Sequence, residues 1–139
     1  MELEYPEDLR YLETHEYVRL EGEIATLGIS AFAVDQLGDI VFLELPELGE
    51  ALKVGSSFGT IESVKAVEDL YPPVSGTVVD RNQAMIDSPE LIADDPHGEG
   101  WLLKVRVENP DTALADTLSA SEYRAQVGDF QRIKYPTKK

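Results

Sequence analysis

The sequence predicts a mainly β fold, a compact sandwich or barrel with a few short helices that include one near the C-terminus. Short runs of β-branched and aromatic residues recur along the 139-residue chain, and such residues favour strands. Gly and Pro residues, 10 and 8 in number, punctuate these runs as turn signals. Apolar and polar residues alternate over 101–107, as they do in a strand with one buried face.

The predicted strands begin with a hairpin. Apolar runs over 17–20 and 24–29 flank Glu21-Gly22-Glu23, which has the composition of a hairpin turn. Between these and 101–107, the remaining predicted strands are 40–45, 52–54, 58–61, residue 71 and 74–79.

Boundary signals define the predicted helices. Ser30 is a typical N-cap and Gly38 a typical C-terminal stop, so we expect a helix over 31–37. Ser88-Pro89-Glu90 predicts one helical turn. The capping-box pattern from Ser119 to Glu122 predicts a helix that reaches Val127 and stops at Gly128.

Composition restricts the classes of partner. No linker or low-complexity segment is evident, so we expect a single domain over 1–139 with a loose C-terminal tail from about residue 130. Asp and Glu number 27 against 12 Lys and Arg, a net charge of −15. This charge repels phosphate groups, so we expect neither nucleic acid nor membrane as a partner. The negative charge favours partners with basic protein surfaces, although a need for solubility alone also explains the charge.

Other classes are disfavoured by what the sequence lacks. Without cysteine there is no disulfide or thiolate chemistry, and two histidines, His15 and His97, are too few for a His-rich metal site. No apolar run approaches the roughly 20 residues that span a bilayer. The acidic first residues resemble no targeting peptide, so we expect a bacterial-type cytoplasmic protein.

One lysine stands out in the stretch from Gly59 to Val78. Lys65 is its only basic residue, with Glu62 before it and Glu68 close after it. An amine among carboxylates keeps its proton and is a poor nucleophile by itself. It suits modification by a separate enzyme that brings an activated acyl group. From the residues alone, a solubilising charge on a hairpin explains it as well.

The surroundings of Lys65 resemble the lipoyl-attachment segment of the glycine cleavage system H protein. The shared pattern is E-S-V-K-A over 62–66, followed by P-V-S-G over 73–76. H-E-Y-V over 15–18 resembles that family's H-E-W-V, with Tyr17 in place of Trp. Further blocks follow the family's order over 27–49, 88–92, 95–96, 98–104 and 121–123.

The resemblance implies a lipoyl-type barrel-sandwich hybrid with Lys65 at a hairpin tip. It implies that (R)-lipoate is attached to Lys65 as N6-lipoyllysine. Glu62, Ser63, Val64 and Ala66 would complete the attachment motif. The family's H-E-W-V histidine lies where the loaded arm can rest, which corresponds here to His15; a structural hydrogen bond is the alternative role. His97 stands where the family often has Tyr.

The implied function is that of a non-catalytic carrier in glycine catabolism. Its lipoyl group would shuttle the aminomethyl group of glycine from a pyridoxal-phosphate-dependent glycine decarboxylase (P protein) to a tetrahydrofolate-dependent aminomethyltransferase (T protein). Dihydrolipoyl dehydrogenase (L protein) would reoxidise it, and a lipoate-attaching enzyme would load it.

Four alternatives stand beside this function. A biotinyl carrier has Met-Lys-Met where this chain has Val64-Lys65-Ala66. Lipoyl domains of 2-oxoacid dehydrogenases commonly have Asp-Lys-Ala and are joined to larger chains by linkers. An H-like protein acting in lipoate relay would use the same Lys65. An acidic interaction domain without a cofactor would not accept lipoate.

Overall fold

The computed structural model describes residues 5–134, with side chains described over 5–128. Two antiparallel sheets face each other, one with the strand order β1-β2-β3-β9-β8-β5 and one with the order β4-β6-β7. The strands are β1 (Arg10–Tyr11), β2 (Glu16–Glu21), β3 (Ile24–Ile29), β4 (Ile40–Glu44), β5 (Ala51–Leu52), β6 (Gly59–Ser63), β7 (Val67–Leu70), β8 (Gly76–Arg81) and β9 (Leu103–Val107). The helices are α1 (Ala31–Leu37), α2 (Gln83–Asp87), a 3-10 helix (Pro89–Asp94) and α3 (Ala120–Lys134). The predicted mainly β fold with short helices is confirmed.

Local signals placed several elements correctly. The β2–β3 hairpin closes where Glu21 pairs with Ile24, and Gly22 has the positive φ of 66° that a tight turn requires. Helix α1 begins after Ser30, whose side chain accepts a hydrogen bond from the Ala33 N–H, and ends at Gly38. The capping box is present, because Ser119 and Glu122 exchange side-chain-to-backbone hydrogen bonds.

The strands around Lys65 differ from the prediction. β6 extends to Ser63, and β7 occupies Val67–Leu70, where a loop was expected. Tyr71, predicted as strand, follows β7 outside any strand. The cause is that β7 is an edge strand, whose exposed side chains need not be apolar because the backbone pairing with β6 holds it in place.

Three further elements correct the prediction. β1 is too short to give a sequence pattern, and α2 was not predicted. Helix α3 does not stop at Gly128 but continues to Lys134, so its backbone enters the segment from about residue 130 that we expect to be loose. An exposed glycine inside a helix costs only about 1 kcal/mol, which neighbouring turns offset. The remaining predicted tail, 135–139, lies outside the described residues.

Two clusters of buried side chains hold the fold together. The larger lies between the sheets, with Val18, Leu27 and Val105 from one sheet and Leu43 and Ile61 from the other. The smaller is largely aromatic and joins the N-terminal segment to α1 and α3. Its members are Tyr5, Leu9, Tyr11, Tyr17, Phe32, Ala120, Tyr123 and Val127.

Over residues 5–134, no helix has the length and apolar character needed to cross a bilayer.

Candidate functional site

Lys65 lies at the tip of the β6–β7 hairpin, as the sequence predicts. Glu62 pairs with Val67, and the Ser63 N–H donates to the Ala66 carbonyl at 2.8 Å. Three residues, Val64 to Ala66, therefore lie between β6 and β7, and the turn itself is formed by Val64 and Lys65. Both are exposed. Among the side chains described over 5–128, that of Lys65 forms no ion pair, so its amine projects into solvent.

The buried side chain of Ser63 stabilises the hairpin tip through hydrogen bonds to its backbone. Its side chain is buried, and its Oγ accepts hydrogen bonds from the Lys65 N–H at 3.3 Å and the Ala66 N–H at 3.1 Å. One hydroxyl thus satisfies two backbone donors that so short a connection would otherwise leave unpaired. Ala66 packs against the main core, while the side chain of Glu62 is half-buried.

The end of α1 lies beside the stem of Lys65. Gly38 ends the helix with φ of 76°, a left-handed conformation that glycine adopts without strain. A Cβ at Gly38 would lie 4.0 Å from Cε of Lys65. The Val64 N–H donates to the Asp39 carbonyl at 3.1 Å. The tip is therefore fixed to the turn between α1 and β4, although the lysine side chain itself is free.

A cleft of about 810 Å³ begins one residue from Lys65, between α1 and β7. Its lining combines an apolar surface with four carboxylates and a few neutral polar groups. The apolar side chains are Ile29, Phe32, Ala33, Leu37, Ile61, Ala66, Val67 and Leu70. The carboxylates are Glu13, Glu16, Glu68 and Asp69, and Thr14, His15, Gln36 and Tyr71 complete the lining.

Glu16 is the buried carboxylate of this cleft, with 2% of its surface exposed. Its Oε2 accepts a hydrogen bond from the Tyr71 N–H at 2.8 Å, and its Oε1 accepts one from the Thr14 hydroxyl. Burial raises the pKa of Glu16, and the two hydrogen bonds oppose that rise because they stabilise the anion. A positive charge placed in the cleft would favour the anion further.

His15 lines the same cleft with a strained backbone. Its φ is 85°, and it ends a tight turn in which its N–H donates to the Leu12 carbonyl at 2.9 Å. Its Nδ1 lies 2.6 Å from the Tyr123 hydroxyl, and its ring centroid lies 4.9 Å from that of Phe32. Burial lowers the pKa of His15, so the imidazole is neutral at pH 7. His15 thus forms a structural hydrogen bond with Tyr123, and its ring also lies at the cleft.

A model of the glycine cleavage H-protein family matches residues 9–130. The chain belongs to this family. An H protein of the glycine cleavage system from Microcystis aeruginosa is 99% identical over 127 residues, which are 91% of this chain and 97% of that protein. One from Gloeothece citriformis is 80% identical over 127 residues, again 91% of this chain and 97% of that protein.

A solved structure agrees with these relatives. The crystal structure of a glycine cleavage system H protein from Mycobacterium marinum superimposes with a TM-score of 0.82 at 42% sequence identity. The alignment covers 89% of this chain and 99% of that one. The fold is therefore the lipoyl-type barrel-sandwich hybrid of H proteins, and the chain is a non-catalytic lipoyl carrier subunit of the glycine cleavage system.

Two departures from the H-protein pattern lie behind the cleft rather than in it. Tyr17 is fully buried, and its hydroxyl donates to the Pro96 carbonyl at 2.6 Å. His97 accepts a hydrogen bond at Nε2 from the Ala31 N–H at 3.1 Å, at the start of α1. The two rings meet edge to face, with centroids 5.4 Å apart. His97 thus supports the start of α1 and Tyr17 packs against His97, and neither residue lines the cleft.

Sequence reasoning missed most of the cleft lining of this H-protein family member. Glu16 gave no signal in the sequence, because only the structure shows that it is buried together with the next two residues of its strand, Tyr17 and Val18. A carboxylate in such a position needs hydrogen-bond partners, which marks it as a site residue. Asp69 and Glu68 gave no signal either, because acidic residues are common in this chain. No cluster of three or more metal-binding side chains occurs within the described residues.

Proposed function

We propose that Lys65 carries (R)-lipoate in amide linkage and that the lipoyl arm rests in the cleft between α1 and β7. The carrier role itself follows from membership of the family. One observation carries the assignment to Lys65: it is an exposed lysine in the short turn between β6 and β7, one residue from the cleft.

The residues present suit the lipoyl group. A cleft of about 810 Å³ lies within the range of roughly 300–1,000 Å³ that is usual for ligand sites. Its apolar surface, which includes Phe32 and Leu37, suits an aliphatic arm and a dithiolane ring. The chain contains no cysteine, so no thiol of its own can exchange with the lipoyl sulfurs.

Lipoate supplies a disulfide that accepts the aminomethyl group of glycine together with two electrons. The side chains of the cleft then act on a cargo whose amine is cationic at pH 7. Glu16 and Asp69 attract that cation electrostatically, and more strongly in a cleft than in water. Phe32 and Leu37 exclude water from the arm, and the neutral His15 adds no repulsion.

Attachment of lipoate is a step in which Lys65 itself reacts. With an acyl adenylate as donor, the amide bond from Nζ to the lipoyl carbonyl forms while the acyl–phosphate bond breaks. AMP leaves, and the ammonium group releases two protons. Glu62, Ser63, Val64 and Ala66 present the amine to the enzyme that performs this step, as the attachment motif predicts.

The chain works with the other components of the glycine cleavage system. We infer that these are glycine decarboxylase (P protein), aminomethyltransferase (T protein) and dihydrolipoyl dehydrogenase (L protein), with a separate lipoate-attaching enzyme. A net charge of −15 supports docking to basic surfaces on them. The relatives reported above are bacterial proteins, which supports a cytoplasmic location. Membership of the family favours glycine cleavage over lipoate relay.

Intact mass after incubation with a lipoate ligase, ATP and lipoate tests the attachment site. The parent and Lys53→Ala, an exposed lysine elsewhere, are expected to gain one lipoyl group each. Lys65→Ala is expected to gain none and to unfold at the parent's temperature, because an exposed tip lysine contributes little to stability. A lipoyl group on Lys65→Ala, or none on the folded parent, would overturn the proposal.

A further inference from the structure

Strand β4 contains a bulge directly beside the hairpin that carries Lys65. Ile40 pairs with Ser63 and Phe42 pairs with Glu62, so Val41 is an extra residue on β4. A bulge changes which residues of a strand face outward. Here Ile40 and Leu43 are buried at 3% and 2% exposure, whereas Val41 and Phe42, which lie between them, are 55% and 47% exposed. A regular strand would have turned one of the two inward.

The hairpin adds two more exposed apolar side chains at the same place. Phe42, Glu62 and Val67 occupy one row across β4, β6 and β7, and residues paired in this way face the same side of a sheet. Val67 is 64% exposed and Val64, next to Lys65, is 72% exposed. We call Val41, Phe42, Val64 and Val67 the tip patch. Apolar groups of this kind on an edge strand mark a binding surface or a risk of aggregation.

Negative charge surrounds the tip patch. The next row of the same outward face is Glu44, Thr60 and Asp69, and Glu62 lies inside the patch. Asp39 is exposed at the turn that holds Val64. In the rows described for this face, from Phe42 to Asp69, no Lys or Arg balances these carboxylates. The matching surface is therefore apolar at its centre and basic at its edge.

We propose that the tip patch is the docking surface for the lipoate-attaching enzyme, which covers it with apolar side chains bordered by Lys and Arg. The inference rests on the proposed attachment of lipoate to Lys65. To acylate Nζ, that enzyme must bring its acyl adenylate within bonding distance of the lysine amine. It must therefore cover the immediate surroundings of the tip, which are the tip patch. Enzymes that act on the dithiolane meet the far end of the arm and need not cover them.

The first test compares two double variants that remove exposed apolar side chains. Val41→Ser with Phe42→Ser alters the tip patch, and Val54→Ser with Leu91→Ser alters side chains that are 52% and 40% exposed elsewhere. The initial rate of lipoyl gain, followed by intact mass with a lipoate ligase, ATP and lipoate, gives kcat/KM. We expect the tip-patch variant to lose roughly tenfold in kcat/KM through a higher KM. The control variant should stay within about twofold of the parent.

Further readouts separate docking from folding and from other partners. Val67→Ser, on a different strand, should also raise KM, so the test does not depend on the bulge variant remaining folded. The rates should fall as ionic strength rises, because the carboxylates around the patch attract a basic surface. Lipoylated Val41→Ser with Phe42→Ser should support glycine decarboxylase turnover at the parent's rate.

The possible results distinguish a failure of the docking surface from a failure of the assignment of lipoate to Lys65. A parent that gains no lipoyl group contradicts the assignment of Lys65. A parent that gains one while both the Val41→Ser/Phe42→Ser and Val67→Ser variants gain it equally fast overturns only the docking surface. Normal lipoylation of the Val41→Ser/Phe42→Ser variant with reduced decarboxylase turnover assigns the patch to the decarboxylase and likewise overturns the docking surface.

Discussion

The hydroxyl of Tyr123, on helix α3, lies 2.6 Å from Nδ1 of His15 at the cleft. The same hydroxyl lies 2.7 Å from Oγ of Ser30, the N-cap of α1. Burial raises the pKa of the Tyr123 phenol and lowers that of His15, so the proton stays on the tyrosine oxygen. Both groups are therefore uncharged, and the hydrogen bond between them fixes which ring nitrogen of His15 carries the proton. The C-terminal helix in this way sets the form in which His15 faces the cleft.

Replacing Tyr123 with Phe removes the hydroxyl and keeps the ring. We expect the free energy of unfolding to fall by about 1–2 kcal/mol, because the hydrogen bonds of the Tyr123 hydroxyl to His15 and to Ser30 are lost together. We also expect the ¹⁵N chemical shifts of the His15 ring to move, since the hydrogen bond that fixes the imidazole tautomer is lost. NMR of ¹⁵N-labelled protein measures this directly.

Tyr11→Phe is the matched control for that measurement. Tyr11 stacks on Tyr123 with ring centroids 4.6 Å apart, and its hydroxyl donates to the Pro6 carbonyl at 3.0 Å. Its replacement should lower stability without moving the His15 ring shifts. If Tyr123→Phe also leaves those shifts in place, the tyrosine does not set the imidazole tautomer.

His97 should make stability depend on pH. Burial lowers the pKa of His97 from 6.5 to about 4, and protonation would remove the acceptor that Nε2 offers to Ala31. The unfolded chain therefore binds the proton more readily than the folded one. The stability from neutral His97 is complete above pH 6.5 and is lost as pH falls towards about 4, by at most about 3 kcal/mol.

Denaturant titrations between pH 4 and pH 7 measure this contribution. Asp95 and Asp8 favour the protonated imidazole and Arg19 opposes it, so the parent curve includes their effects. His97→Gln keeps an acceptor oxygen but does not titrate, and its curve should be flatter over this window. Parallel curves for the two proteins would assign the pH dependence to other groups.

Glu16 should govern how long the loaded arm keeps its amine. Glu16→Gln retains an acceptor for the Tyr71 N–H but removes the negative charge in the buried part of the cleft. We expect a folded carrier that releases the amine of its aminomethyl cargo several-fold faster when no aminomethyltransferase is present. Ammonia release from the loaded protein measures this.

Glu13→Gln is the control for Glu16→Gln, because Glu13 lines the same cleft but is exposed to solvent. Water screens its charge, so its loss should change the release rate less. Equal effects of the two substitutions would mean that the summed charge of the cleft, and not the buried carboxylate, retains the cargo.

The sequence was informative where a structural feature depends on neighbouring residues. Ser30 and Gly38 mark the two ends of α1, because capping depends on neighbouring residues. The attachment motif placed Lys65 at a hairpin tip, because turn and strand residues lie together there. β7 was missed because Glu68 and Asp69 have low strand propensity and only the pairing with β6 makes them strand.

The cleft could not be predicted in the same way, because it brings together segments that are distant in sequence. Its lining comes from 13–16, 29–37 and 61–71, and the pair of His15 and Tyr123 is separated by 108 residues. Single-sequence patterns carry no information about such contacts. The resemblance to H proteins placed His15 at the cleft, but Glu16 emerged only when its burial and its bond to Tyr71 were known.

A substitution at Gly128 tests whether α3 ends there, as the sequence predicts, or continues to Lys134, as the structure shows. A glycine that stopped the helix at this position would adopt a left-handed conformation, and alanine there would be destabilising. Gly128 instead lies within α3 and is exposed, and a Cβ placed on it meets no described atom within 4 Å apart from its chain neighbours and the backbone of its own helix. Gly128→Ala should therefore raise the free energy of unfolding by about 0.5–1 kcal/mol.

Gly22→Ala supplies the contrast. A Cβ at Gly22 also meets open space, but its φ of 66° is left-handed, so alanine should lower stability by roughly 1 kcal/mol. Denaturant unfolding of both variants therefore separates the effect of steric room from the effect of backbone conformation. Both positions have room for a Cβ, and only Gly22 has a positive φ. A loss of stability in Gly128→Ala as well would restore the helix end that the sequence predicts.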